Sequence, residues 1–459
     1  MRPGLGAGGW GLALAALALT ACDERSLIIG DPDTTFTIDQ QLRQAIGTWG
    51  VVPIGAVPEQ QPAAVALGQA LFFDPVLSGN RDVACATCHH PATHFTDGLS
   101  LPLGTGATGS GTAREPGPGR SLLPRSAPTL LNSALGFYQM FWDGRLTGFG
   151  QGTFLVQPDT MLPGVPTIVV AQALLPVLSR GEMRGLAGDT DRFGAANELA
   201  AIADVDRYGV WRALMTRLLA IPEYQQLFGA AFPTMGPSGH DFTHAALALA
   251  AFQTAALTKT NSPFDRYLAR DDAALTLPQK RGGLLFFGRA QCSSCHSGPL
   301  LGGNGIANTG VPQLGPGVGA AAPLDHGRGA IDTFTTFYRF AFRVPPLRNV
   351  ELTAPYFHDG AYPTLAAVVR HYNDVATSLR SYDPALQLAQ AAARTMHHGD
   401  ATTVAQVMET LDFRLRGPLA LSEAEIADLV AFLEALTDPA ARDLAALRPA
   451  AVPSGLPVP

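Results

Sequence analysis

Two pentapeptides of the form C-x-x-C-H constrain this chain more than any other feature: Cys85-Ala86-Thr87-Cys88-His89 and Cys292-Ser293-Ser294-Cys295-His296. They use four of the five cysteines; the fifth is Cys22. The spacing has a chemical reading. Two thiols three positions apart on one turn reach the two vinyl groups along one porphyrin edge. The histidine that follows projects over the ring and ligates iron. Disulfides, thioredoxin-like redox pairs and zinc sites use the same residue types. A zinc site, however, needs a fourth ligand close by, and it does not favour a histidine directly after the second cysteine in both copies. The reading is therefore two covalently bound c-type haems and no disulfide.

The segments ahead of the two units resemble each other. Ala66-Leu67-Gly68-Gln69-Ala70-Leu71-Phe72-Phe73 precedes the first, and Arg281-Gly282-Gly283-Leu284-Leu285-Phe286-Phe287-Gly288 precedes the second. Each reads as a helix with glycine near its start and Leu-Phe-Phe at its end, a weak internal repeat that fits two cytochrome c modules. In such a module the helix ahead of the haem unit packs on a later one. For the second module the later helix opens on the capping box Ser422-Glu423-Ala424-Glu425, and Ile426, Leu429, Val430, Phe432, Leu433 and Leu436 follow at helical spacing. For the first, the matching segment runs from Phe242 to about Leu268. The predicted fold class is mainly α: two cytochrome c-like haem domains with long loops. The expected division is a signal peptide over 1–21, an N-terminal tether over 22–60, haem domains over 61–268 and 269–445, and a flexible Pro-rich tail over 446–459. The Gly/Pro-rich segment Leu101 to Pro124 reads as a long surface loop, with a second such stretch over Gly302 to Gly329.

Residues 1–21 carry an early Arg2 and an apolar run too short to span a bilayer, as an export signal does. The run ends in Leu19-Thr20-Ala21-Cys22, which resembles a bacterial lipobox, so Cys22 is the expected lipid-anchored first residue of the mature chain. The bland alternative is a soluble exported protein that discards Cys22 or keeps it as a spare thiol. The expected compartment is the bacterial cell envelope, facing the periplasm. A formal net charge of −7 argues against nucleic-acid binding by a basic surface. With 47% hydrophobic and only 15% charged residues, the 459-residue chain is no disordered protein.

Between and after the haem units come Ser126-Ala127-Pro128-Thr129-Leu130-Leu131-Asn132, Phe141-Trp142-Asp143-Gly144-Arg145, Gln172-Ala173-Leu174-Leu175-Pro176 and Glu182-Met183. Further on are Val344-Pro345-Pro346-Leu347-Arg348-Asn349-Val350 and Thr353-Ala354-Pro355-Tyr356-Phe357-His358-Asp359-Gly360. This set, in this order, resembles the bacterial di-haem cytochrome c peroxidase and MauG family over about Ala66 to Leu436. The resemblance implies that peroxide binds at the haem on His89 and that the haem on His296 handles electrons. It implies that Trp142 relays electrons between them; the plain alternative is a core aromatic. Glu182 matches the family's acid–base position, with Gln172 and Pro176 in the same distal pocket. A carboxylate there can take the proton from one peroxide oxygen and return it to the leaving one; the plain alternative is a solvated glutamate at a helix end. A calcium ion between the domains is also implied, on carbonyls matching Thr353 and Pro355, with Ser126 standing where the family has an asparagine.

Two departures bear on subtype. Many family peroxidases carry a histidine about sixteen residues after the first unit, which blocks the peroxide site until one haem is reduced. The corresponding segment here, Leu101 to Gly111, contains none, so the first haem is expected to be open. Where family peroxidases place a methionine ligand to the second haem, the aligned residue is Tyr372, as in MauG. Helical periodicity sets Leu365, Val368, Val369 and Tyr372 on one face and turns His371 about 100° away. Tyr372 as ligand, His371 as ligand and Tyr372 as plain core residue are the three readings. An anionic oxygen ligand stabilises oxidised iron, whereas methionine raises the potential. The leading expectation is a peroxidase that reduces hydrogen peroxide with electrons from a small cytochrome c or cupredoxin. The alternatives are a MauG-like oxidase that modifies residues of a partner protein, and a non-enzymatic electron carrier.

Overall fold

The computed structural model describes residues 36–148, 152–157, 160–236, 239–303 and 305–459. The signal segment and Cys22 lie outside the described residues. The structure is built mainly from helices joined by long irregular connections.

Each half is organised on one crossed helix pair. In the first, Pro62–Phe73 packs on Phe242–Leu257; in the second, Leu277–Phe287 packs on Glu423–Glu434. The local starts follow from chemistry: Pro62 sits in the first turn, where its missing N–H costs nothing. Ser422 and Glu425 form the expected capping box. The crossings are unusually close, and glycine is the reason. A Cβ on Gly68 would lie 1.9 Å from the Ala248 carbonyl oxygen, and one on Gly282 would lie 1.9 Å from that of Asp428. Beside them, Phe72 meets Phe252 at 5.3 Å between ring centroids, and Phe286 meets Phe432 at 5.2 Å. The repeat seen ahead of the haem units thus extends to the later helices, with Phe252 and Phe432 as counterparts. Because a backbone carbonyl cannot yield as a side chain does, Gly282→Ala is expected to destabilise the second domain by about 3 kcal/mol. Thermal unfolding of the haem-loaded protein measures it; an unchanged midpoint would show that the helices separate freely.

The order of elements differs from expectation at both domain ends. The Ile38–Thr48 helix, in the expected tether, buries Leu42 and Ile46 in the second core. The predicted segment 242–268 is two helices, broken ahead of Pro263, and Phe264 and Tyr267 of the second helix also join the second core. The chain therefore changes core near residue 260, before the expected boundary. The tail over 446–459, expected to be flexible, is packed: Val452 and Leu456 are buried in the first core, and the Ser454 hydroxyl donates to Asp74 at 2.6 Å. Its prolines restrict the unfolded chain and so reduce the entropy lost in pinning it.

The segment 101–124 is also no simple surface loop. Leu101, Leu103 and Leu122 are buried against Val311, Leu314 and Tyr362 from the C-terminal half. A four-stranded antiparallel meander, β1 (Gln139–Met140), β2 (Leu146–Gly148), β3 (Thr153–Val156) and β4 (Thr160–Pro163), was not anticipated. Its strands are two to four residues long, too short for alternation to register. The β1–β2 turn carries Trp142.

Candidate functional site

A cavity lies at each C-x-x-C-H unit. The first, about 400 Å³, is lined by Cys85, Cys88 and His89. The second, about 190 Å³, is lined by Cys292, Cys295 and His296. All four cysteines are free thiols. Burial pushes Cys85 up to about 12, Cys88 to about 11 and Cys292 to about 12, so these thiols hold their protons in the cavity walls. Among the described residues, no group of three or more His, Cys, Asp or Glu side chains is arranged to hold a metal ion.

Each histidine is tuned by a neighbour. His89 Nδ1 lies 3.0 Å from the Phe95 carbonyl oxygen, and His296 Nδ1 lies 3.0 Å from that of Leu301. Each Nδ1–H donates there, which leaves Nε2 with a lone pair, the tautomer an iron ligand requires. Burial lowers the proton affinity of both rings, and His296 falls to about 4. Neutral thiols, neutral imidazoles and largely apolar walls fit a covalently attached porphyrin in each cavity.

Three of the expected residues meet in the first cavity. Gln172 arrives on the Ile168–Ala173 helix, Pro176 follows it, and Glu182 sits in a π-helical turn over Arg180–Arg184. Burial raises the proton affinity of the Glu182 carboxyl, while the charge of Arg145 and a hydrogen bond from Ser179 oppose the rise. Glu182 is thus no solvated helix-end residue. The histidine-free segment runs behind it: Thr105 N–H donates to the Glu182 carbonyl at 2.9 Å, and a Cβ on Gly104 would lie 1.9 Å from the Gly181 oxygen. With Leu101 and Leu103 buried elsewhere, this segment sends no ligand into the cavity. His89 is the one histidine lining it among the described residues.

In the second cavity the Leu365–Asn373 helix presents Leu365, Val368, Val369 and Tyr372. His371 points elsewhere. It is fully buried, with Nε2 2.8 Å from the Thr309 carbonyl oxygen and Nδ1 3.0 Å from the Tyr362 hydroxyl. Both of its nitrogens are engaged, so of the two candidates only Tyr372 faces the cavity. Burial keeps the Tyr372 phenol protonated well above its ordinary range; becoming an anion requires a cation beside it.

Trp142 lines both cavities. Its Nε1–H donates to the Ser126 carbonyl at 2.8 Å, which fixes the ring plane. Phe141 ahead of it is held at φ +65°, a strained position for a bulky residue, with the Arg145 guanidinium 3.8 Å over its ring. Asp143 binds both Arg125 and Arg145 and so braces this turn from the far side. Ser126, Thr353 and Pro355 also line the first cavity. They bring only neutral oxygens, and the Ser126 carbonyl is taken by Trp142. Two residues escaped the sequence reading. Arg145 closes the quoted Trp142 motif without an assigned role, and Arg343, next to a quoted segment, lines both cavities.

A family model described as di-haem cytochrome c peroxidase matches residues 62–273. The chain is 31% identical over 382 residues to the methylamine utilization protein MauG of Methylorubrum extorquens, covering 83% of this chain and 80% of that one. It is 33% identical over 294 residues to the cytochrome c551 peroxidase of Pseudomonas aeruginosa, covering 64% and 67%. The crystal structure of a MauG-like protein associated with microbial copper homeostasis superposes with a TM-score of 0.56 at 25% identity, covering 85% of this chain and 95% of that one.

Proposed function

This chain belongs to the di-haem cytochrome c peroxidase family and is a haem peroxidase with two c-type haems, and we propose that it takes up peroxide at an open first site without prior reduction. The observation that carries this reading is the first cavity, where Glu182 and Gln172 share space with His89 and no second histidine is present among the described residues. The haems, attached through Cys85 and Cys88 and through Cys292 and Cys295, supply the iron and its electrons.

The protein's own groups do the rest. Glu182 takes the proton from the near peroxide oxygen and delivers it to the far one, so the leaving oxygen departs as water. Its raised proton affinity helps the second step, because a weaker carboxylic acid holds its proton until the bond is breaking. Gln172 orients peroxide by hydrogen bonding, and the apolar remainder of the wall excludes bulk water. Trp142, common to both cavities, carries electrons between them; its N–H faces a carbonyl, which is no base, so the indole keeps its proton when oxidised. Tyr372, facing the second cavity, would be the oxygen the protein offers the second iron. Such a ligand would stabilise oxidised iron and make electron uptake from an ordinary donor harder, which supports the second reading: a MauG-like oxidase acting on residues of a partner protein.

The reading extends to its surroundings. Electrons come from a small cytochrome c or cupredoxin, and the enzyme faces the periplasm on a lipid anchor at Cys22. No helix among the described residues is long and apolar enough to cross a membrane. A calcium ion on the oxygens of Thr353, Pro355 and Ser126 completes it; oxygen donors are what a hard cation takes, and from Ser126 it would be the hydroxyl, since Trp142 holds the carbonyl.

Stoichiometric peroxide added to the fully oxidised protein tests the reading. Immediate consumption of one equivalent, with a spectral change from the visible to the near infrared, is expected. No reaction until one haem is reduced would overturn the open-site assignment, and inertness in every redox state would leave an electron carrier.

A further inference from the structure

Among the described residues, Arg343 is the one charged side chain lining both cavities. It sits in β6 (Phe342–Arg343), paired with β5 (Ile306–Ala307). Its backbone N–H donates to the Trp142 carbonyl at 2.7 Å, and its Nε–H donates to that of Phe141 at 3.2 Å. Beyond Nε the guanidinium has no acidic partner among the described residues; it lies 5.4 Å from the Phe137 ring centroid, and its Nη1 is buried without any hydrogen bond. Burial alone pushes its proton affinity down to about 10, with no nearby carboxylate opposing the fall.

The other charged groups around the cavities are accounted for. Arg125 is bound by Asp143 and Asp325, Arg145 by Asp143, and Arg414 by Asp412. Glu182 is influenced by Arg145 and not by Arg343. His358, in the second cavity wall, is held neutral by burial, its proton affinity pushed down to about 3. A buried cation without a counter-ion is not stable in a low-dielectric interior, so the structure calls for an anion to be supplied from the cavities. The covalent cofactor carries carboxylates on the porphyrin edge opposite its thioether bonds. A guanidinium whose Nε is already used still offers four N–H groups on two nitrogens, enough for one carboxylate on each.

We propose that Arg343 is the shared anchor of the haem carboxylates, binding one from each haem and holding both ionised between the two cavities. This rests on the di-haem reading but not on the peroxide chemistry. Arg343 becomes the electrostatic link between the centres. A change of charge in one cavity is felt through the same guanidinium by the carboxylate of the other.

The test is a spectroelectrochemical titration of both haems between pH 5 and 9, in the native protein and in Arg343→Met, Arg343→Gln and Arg343→Lys. Haem content is measured in each. Native midpoints are expected to be nearly flat with pH. In Met and Gln, both midpoints should become pH-dependent, because carboxylates left buried without their cation take up protons within this range. Above that transition both should lie below native, since a lost cation favours oxidised iron. Lys should restore flat midpoints. A shift confined to one haem would overturn the shared anchor, and native midpoints in Met and Gln would overturn the anchor altogether. If the neutral variants fail to load both haems while Lys loads them, the charge is what loading requires and the proposal stands. If Lys fails as well, Arg343 serves packing and the proposal falls. Peroxide reactivity enters none of these readouts.

Discussion

Glu182→Gln is expected to slow peroxide cleavage by roughly 10²- to 10⁴-fold, the usual contribution of a positioned acid–base group, equivalent to roughly 3–5 kcal/mol of barrier. Glutamine keeps the size and the hydrogen-bonding reach of the side chain but cannot shuttle a proton. The backbone of the turn does not depend on the carboxyl: the Thr105 N–H is received by the carbonyl of residue 182, and the Gly104 contact involves Gly181. Haem content should therefore stay native, which separates loss of chemistry from loss of fold. The pH profile gives a second signature. Proton removal from peroxide needs the ionised carboxylate, and burial raises the Glu182 proton affinity above the ordinary carboxylate range. Native cleavage should fall as pH drops through that raised value, and the residual rate of the glutamine variant should lack this limb. Stopped-flow mixing with peroxide measures both. A variant as fast as the native protein would remove Glu182 from the mechanism.

Tyr372→Met should raise the potential of the second haem by on the order of 0.1 V or more, a modest part of the roughly 0.8 V that axial ligation spans. On the proposed ligation it would exchange an anionic oxygen for a neutral thioether in the same cavity wall, beside Phe357. Methionine is flexible enough to fill the space without disrupting the core. The fully oxidised variant should also lose much of its direct reaction with peroxide, because the second centre no longer yields an electron readily. Redox titration and the ligand-sensitive visible bands report the change. An unchanged potential and spectrum would make Tyr372 a core tyrosine. His371 is not a reserve ligand, since Thr309 and Tyr362 hold both of its nitrogens.

Much of the site was legible because its chemistry is local. Cysteines three apart with histidine next in line are covalent geometry, readable wherever they occur. The Tyr372 face of its helix followed from 3.6-residue periodicity, and the capping box at Ser422 from two residues three apart. The repeat ahead of the haem units was visible, yet its depth was not. That Gly68 opposes Ala248 and Gly282 opposes Asp428 depends on helices more than a hundred residues apart. The β1–β4 meander stayed hidden because two- to four-residue strands draw their stability from neighbours and not from their own pattern. The buried half of the 101–124 segment and the packed tail were misread for a related reason. Gly and Pro composition marks irregular backbone, but irregular backbone is not always exposed: Leu101, Leu103, Val452 and Leu456 are held by cores formed elsewhere in the chain.

By itself, then, the sequence determined two c-type haems in a mainly helical chain and offered a histidine for each, because those properties reside in residues adjacent or one helical turn apart. The tertiary structure alone decided which groups share a cavity. It brought Glu182 and Gln172 to His89, turned Tyr372 inward and His371 away, set Trp142 in both walls, and left Arg343 between them without a counter-ion. Proton affinity, solvent exclusion and charge balance depend on neighbours distant in the chain, and only the folded packing supplies those neighbours.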